Sequence, residues 1–430
     1  MKSVFKMSSS RMALVAAFGL AMGFTPAQAA DLGGNCCADL EERVAELEAT
    51  TARKGNRKVS LTVSGWVNEQ VMMWDDGTER NAYVGTNSLE QSRFRFQGEA
   101  QIAPGYSAGY TLEIGVAGHP SNKWDQNSPS SSGDNALTVR KSNWWLKSKD
   151  YGKVTVGLEG SALYHVLDDA DGVNTRNFSD AQAAAVYQGT FGLRHNGASI
   201  GLTWSNILQG IDNGTVGQDG RRNLVRYDSP TIAGFTLTAS WGEDDDWGMA
   251  LTYSNTWGDF KVLGKAGYGE VSDENIGCST KTGPTDCQLF GAAGTVMHVP
   301  TGLFVYGGYA QNKDNRSGVV EDTSSMYFIQ GGIEQKWIPL GKTTVFGEYR
   351  HDDGGSKNGV NISNAGLGNG TLGSTSLNFI GAGVIQNIEP AAMDLYVMYR
   401  HADGDIANTA GVSTSLDAFD SVIAGALMRF

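Results

Sequence analysis

The feature that most constrains this chain is an alternation of connection lengths between half-apolar segments. From Lys58 onward, apolar side chains recur at every second position. Val59, Leu61, Val63, Gly65 and Val67 alternate with Ser60, Thr62, Ser64, Trp66 and Asn68. Phe94, Phe96, Gly98, Ala100 and Ile102 alternate with Arg93, Arg95, Gln97, Glu99 and Gln101, and Ala108, Tyr110, Leu112, Ile114 and Val116 form a third such face. A period of two marks strands whose faces meet different surroundings. Short turns at 103–106, 149–152, 229–234, 257–259, 300–302, 338–342 and 388–392 alternate with long polar segments at 75–87, 118–135, 161–185, 209–220, 272–287, 312–323, 353–374 and 404–416. Strands of about 10 residues, with short turns at one end and long loops at the other, make the layout of a transmembrane antiparallel β-barrel. A soluble sandwich gives no reason for loop length to alternate.

Eighteen strands can be counted. Sixteen remain if Val186–Arg194 and Ser199–Leu208 belong to one inserted segment, 161–221. Either number is even, which places both ends of the barrel on the periplasmic side, and a barrel of this size encloses water rather than a filled core. The last ten residues, Ser421–Phe430, repeat the alternation. Val422, Ala424, Ala426, Met428 and Phe430 form one apolar face of a closing strand, expected to pair with the first strand near Val59–Val67.

Composition agrees. Mean hydropathy is −0.27, too polar for a bundle of membrane helices. The charge of −13 argues against a nucleic-acid partner. Lys2, Lys6 and Arg11 precede an apolar run from Met12 to Phe24 and then Pro26-Ala27-Gln28-Ala29, which reads as a secretory leader over 1–29. No later stretch reaches the roughly 18 apolar residues that a spanning helix needs. Residues 30–56 differ in texture. Leu40, Val44 and Leu47 fall at heptad spacing within Asp39–Lys54, which predicts a short periplasmic helix able to pair with others as a coiled coil; a solvated spacer is the plainer alternative. Cys278 and Cys287 bracket a glycine-rich loop and could form a disulfide in an oxidising compartment, whereas Cys36 and Cys37 are adjacent and suit free thiols or an interchain bond.

An enzyme needs a constellation of catalytic groups. The six histidines stand beside no G-x-S-x-G, P-loop, dinucleotide fingerprint or H-E-x-x-H, and no Cys/His spacing resembles a zinc site. No cofactor or metal is therefore expected. A channel needs charge placed across a narrow lumen. The segment Gly160–Ala185 carries Asp168, Asp169, Asp171 and Asp180, and its Leu163, Val166 and Leu167 could pin it to a wall. Arg93, Arg95, Lys141 and Arg226 face inward and would oppose those acids across a constriction. Two arginines on one strand face repel unless screened. Tyr-Arg-His recurs at 349–351 and 399–401, which places Arg350 and Arg400 in the lumen near the external rim. Trp144, Trp145, Trp204, Trp241, Trp247, Trp257 and Trp337 mostly fall near strand ends and read as interfacial girdle residues rather than a sugar-stacking slide.

The leader, the Asp39–Lys54 helix, Ser60–Val67 (SLTVSGWV), Tyr151–Gly160 (YGKVTVGLEG), Arg226–Pro230 (RYDSP) and terminal Phe430 together resemble the alphaproteobacterial general porin family. The resemblance spans essentially the whole mature chain. It implies a homotrimer of 16-stranded barrels in the outer membrane of a Gram-negative bacterium, contacting membrane lipids. It also implies that 161–221 is one third loop folded into the pore, where Asp168, Asp169 and Asp171 face Arg93 and Arg95. Small hydrophilic solutes would diffuse through passively. In resembling proteins a terminal aromatic is read by the barrel-assembly machinery, which gives Phe430 that role. The cysteines match nothing in the family pattern. A sugar- or anion-specific channel and a plugged structural barrel are the alternatives.

Overall fold

The computed structural model describes residues 59–430 apart from 129–135, 177, 179–183, 209–210, 213–214, 217–219, 243–244, 273–285, 316–322, 355–361 and 363–369. The leader, Leu40, Val44, Leu47, Cys36, Cys37, Asp180 and Cys278 lie outside the described residues. Among those described, sixteen antiparallel strands close into one barrel. They are β1 (Thr62–Asp75), β2 (Arg80–Thr86, resumed at Arg93–Ala103), β3 (Tyr106–Ala117), β4 (Ala136–Ser148), β5 (Gly152–Gly160), β6 (Arg221–Asp228), β7 (Phe235–Gly242) and β8 (Trp247–Trp257). The circuit continues through β9 (Phe260–Ser272), β10 (Asp286–His298), β11 (Leu303–Asp314), β12 (Thr323–Ile338), β13 (Gly341–Gly354), β14 (Leu372–Ile388), β15 (Met393–Asn408) and β16 (Ser413–Ser415, resumed at Phe419–Arg429). The pair left open by the sequence is no part of this sheet. Gly192–His195 and Ala198–Thr203 form a separate two-stranded hairpin, so the count is sixteen rather than eighteen.

The alternation seen in the sequence is the difference between the two faces of the wall. On β1, Val63, Val67, Val71 and Met73 are exposed on the outside, while Asn68, Gln70, Met72 and Trp74 are buried on the inside. Every backbone polar group must be satisfied within the sheet when lipid surrounds it, so the circuit has to close. Closure pairs β1 with β16 from Trp66↔Arg429 to Asp75↔Asp420. The seam therefore lies higher on β1 than Val59–Val67. Phe430 adds one further backbone exchange, donating to Gly65 and accepting from it at 3.0 Å each way, with its ring exposed at the periplasmic end.

β5 and β6 are hydrogen-bonded neighbours, from Arg221↔Gly160 to Asp228↔Lys153. Residues 161–220 thus leave the sheet and return to the same place, and their described parts fold into the lumen. A first arm, residues 161–176, lies on β9–β12: Leu163, Val166, Leu167 and Ala170 pack against Leu289, Tyr306, Met326 and Phe328. A second arm, residues 184–208, lies on β1, β2 and β14–β16, where Phe191 and Trp204 pack among Trp74, Phe379 and Phe419 at ring distances of 4.8–6.5 Å. Trp204 is therefore a core residue, not a girdle one, and Trp145 is on the lumen face with the Lys153 ammonium 5.3 Å from its ring, while Trp144, Trp241, Trp257 and Trp337 are exposed on the outside. Cys287 is disulfide-bonded. No described helix is long and apolar enough to cross a membrane.

Candidate functional site: the pore constriction

Opposite the first arm stands the wall formed by the second half of β2 (Arg93–Ala103) through β6. A polar cavity of about 390 Å³ lies there, between that wall and the first arm. Arg93 and Arg95 on β2, Lys141 on β4 and Arg226 on β6 line it, as the alternation requires. Their screening comes from the wall itself. Antiparallel register sets Glu113 of β3 directly opposite Arg95, and opposite Lys141 on the other side. Glu113 accepts from Arg93 Nη1 at 3.2 Å, Arg95 Nε at 2.7 Å and Arg140 Nε at 3.0 Å. Arg140 reaches it because a bulge in the β3–β4 pairing adds one residue on β4. Arg93 also pairs with Glu90 at 3.1 Å and lies 4.5 Å from the centre of the Trp66 ring. Lys141 donates to Glu159 at 2.5 Å, and Arg226 holds Asp228 through both carboxylate oxygens.

The arm facing this wall presents Tyr164, His165, Asp169 and Arg176. Of the described acids expected to oppose the arginines (Asp168, Asp169 and Asp171), Asp169 alone lines the cavity, and it is held by Lys265 of β9 at 2.6 Å and by Arg176 at 2.5 Å. Asp168 turns away and is 2.6 Å from His165 Nδ1. Burial alone would raise its pKa, but the charges of His165 and Arg176 outweigh that and hold it down at about 2. Asp171 lies beneath the arm, 2.5 Å from the Thr175 hydroxyl, which is itself 2.8 Å from the Gln330 side-chain oxygen. Burial pushes the Asp171 carboxyl up to about 7. The expected field of loop acids against wall arginines is therefore replaced by a wall that carries its own carboxylates and an arm pinned by its acids.

That pinning is extensive. Thr295 donates to the Ala170 carbonyl at 2.6 Å, Lys261 to that of Gly172 at 2.9 Å and Tyr306 to that of Leu167 at 3.0 Å. Polar groups of β9–β11 are spent on the arm's backbone, which cannot pair within a sheet. Arg350 and Arg400 face inward but do not reach an open rim; they are 1% and 5% exposed, with Phe379 of the wall beside Arg350 and Tyr187 of the second arm beside Arg400. Arg350 pairs with Asp352 at 2.7 Å, and Arg400 pairs with Glu348 at 2.8 Å and lies 5.1 Å from the Tyr187 ring.

Sequence reading missed Glu90, Glu113, Glu159, Arg140 and Arg176. Glu113 was legible as an inward position on β3 but not as the partner of Arg95: counting outward from the Pro104–Gly105 turn sets Ile114 against Arg95, and a bulge between Gln101 and Ala103 shifts the register by one. Arg140 was not legible even as an inward position, because the β3–β4 bulge breaks the period of two.

A closed, water-lined barrel narrowed by an inward loop, with charge at the narrowing, defines a passive diffusion channel of the outer membrane. The sequence profile of Gram-negative porins matches residues 13–419, and the chain belongs to that family. Among solved structures it is similar to the anion-selective porin of Comamonas acidovorans, with a TM-score of 0.56 at 14% identity over 86% of this chain and 100% of that one. OmpT, an outer membrane protein of Vibrio cholerae, gives 0.54 at 14% over 88% and 99%. OmpF of Salmonella typhi, in complex with daunomycin, gives 0.51 at 14% over 87% and 99%. No curated protein sequence matches.

Proposed function

We propose that this chain is a homotrimeric general porin, of the alphaproteobacterial kind its sequence resembles, that passes small hydrophilic solutes without catalysis and favours small anions. The carrying observation is the order of charge with depth. Arg95 and Lys141 are 28% and 26% exposed toward the cavity, whereas the Glu113 that screens the arginines is 1% exposed. Along this wall a passing solute meets guanidinium and ammonium tips first, while on the facing arm Arg176 and Asp169 are 37% and 35% exposed and offset each other, and low-dielectric walls concentrate the net field. Six basic side chains (Arg93, Arg95, Lys141, Arg176, Arg226, Arg429) and four acidic ones (Glu90, Glu113, Glu159, Asp169) line the cavity, 6 − 4 = +2 with histidine neutral. The whole-chain charge has the opposite sign, −13, so the acids that produce it lie elsewhere.

The homotrimer is supported by the trimer form of the similar Vibrio cholerae OmpT, and the anion preference by the name of the similar Comamonas porin. In this reading residues 1–29 direct export and are removed. Residues 30–56 pair between protomers in the periplasm through Leu40, Val44 and Leu47. Cys278 bridges to Cys287, lipids cover the outward apolar face, and the assembly machinery reads Phe430. The test is the zero-current potential of purified channels across a potassium chloride gradient. A sign set by chloride is expected; a sign set by potassium overturns the anion preference.

A further inference from the structure

Toward the periplasm, the same wall carries a second basic cluster that the constriction does not use. Strand register aligns Gln101 (β2), Ser107 (β3), Lys147 (β4), Lys153 (β5) and Asp228 (β6) in one transverse row. Lys147 and Lys153 are direct cross-strand neighbours, and Lys149 stands in the turn that joins their strands. They belong to the lumen face, since Trp144, Leu146 and Val154 hold the alternate, outward positions. Gln101 is six residues along β2 from Arg95, so the row lies roughly 20 Å from the constriction along the strand.

Two observations set this row apart. Like charges directly opposite each other destabilise a strand pair. Yet among the described residues no salt bridge involves Lys147, Lys149 or Lys153, whereas Arg93, Arg95, Lys141 and Arg226 each have a carboxylate. Asp228, the acid of the row, is committed to Arg226 and to the Thr238 hydroxyl at 2.8 Å. The three lysines also line a separate cavity of about 750 Å³ whose other acid is Glu99. Its floor depends on Gly152. That residue has φ +87°, and a Cβ there would lie 2.2 Å from the Asp228 carbonyl, so glycine alone lets the turn sit this close to β6.

We propose that Lys147, Lys149 and Lys153 form a second anion-binding site, in series with the constriction, at the periplasmic mouth. It takes small dianionic solutes of the dicarboxylate or phosphate class. Facing residues on paired strands stand about 5 Å apart at Cα, a separation that lets two ammonium groups grip two anionic oxygens of one molecule. The proposal rests on the anion preference argued above. Because the site lies at one mouth only, it makes the channel electrically asymmetric.

The probe is inorganic sulfate, added to one side at a time of bilayers holding channels inserted in one orientation, with chloride current recorded. Wild-type channels are expected to be blocked from the periplasmic side at concentrations roughly threefold lower than from the other side. The combined Lys147→Gln, Lys149→Gln and Lys153→Gln variant should lose that difference. Lys147→Glu, which supplies Lys153 with a carboxylate in addition to the Trp145 ring 5.3 Å from its ammonium, should lose most of it. Chloride-preferring wild-type channels blocked equally from both sides, or a block unchanged in both variants, would overturn the second site and leave the constriction reading intact. Potassium-preferring wild-type channels would overturn both.

Discussion

Two walls of the barrel carry inward-facing arginines, and they do opposite things. On β2–β6, Arg95 and its neighbours border open water, and Glu113 behind them balances their charge. On β13–β15, Arg350 and Arg400 are buried, each against a buried carboxylate, Arg350 beside the wall ring of Phe379 and Arg400 beside Tyr187 of the second arm. Strand alternation is the same on both walls. The difference comes from the arm: 184–208 seals one wall with Phe191 and Trp204, while 161–176 stops short of the other. An inward position therefore means pore only where no insertion covers it.

The largest effect should come from the sealed wall. Arg400→Met removes a guanidinium 2.8 Å from the buried Glu348 carboxylate, and loss of one partner of a buried ion pair costs about 3–5 kcal/mol. Thermal unfolding of the purified protein should shift down clearly while ion preference stays at the wild-type value. An unchanged melting curve with altered preference would mean that Arg400 reaches the pore. Next, Phe191→Leu thins the ring cluster that holds the second arm. A cost of about 1 kcal/mol is expected from the lost ring contacts, read as noisier open-channel current. A quiet current with unaltered melting would show that the arm is held by something else, such as the Arg194–Asp76 pair at 2.6 Å.

The first arm gives a smaller effect, one that depends on pH. An unfolded aspartate titrates near about 3.9. Asp171 is raised above that, to about 7, so the folded protein holds its proton through this interval. Stability from this group is greatest below about pH 4 and falls as pH rises toward about 7. Asp168 has the opposite sign: held at about 2, it contributes above about pH 4 and loses that contribution as pH falls through about 2. Between those limits Asp171 sets the slope of this pair, and the arm should loosen on raising the pH. Increasing current fluctuation between about pH 5 and pH 7.5 should mark it, and Asp171→Asn should flatten the response. Wild-type fluctuations that do not vary with pH would contradict this role.

Much of the barrel was legible because lipid and water impose a period of two. The alternating strands and the inward placement of Arg93, Arg95, Lys141 and Arg226 follow from that periodicity, whereas the choice of sixteen strands over eighteen and of one inserted segment, 161–221, came from the family resemblance. Burial under the arms was not legible. Arg350, Arg400 and Trp204 obey the same pattern as exposed residues, and only the path of an irregular segment decides which are covered. Asp168 and Asp171 were misplaced for the same reason, since no periodicity governs a loop's side-chain directions.

The comparison is tested most directly by one paired measurement, the zero-current potential of Arg95→Ser and of Arg400→Ser in the same potassium chloride gradient. Arg95→Ser should move the potential toward potassium, with a fall in chloride preference of roughly twofold or more from the loss of one charge at the narrowing. Arg400→Ser should leave it where the wild type stands. Equal shifts in the two variants, or a shift in Arg400→Ser alone, would place the pore against the other wall.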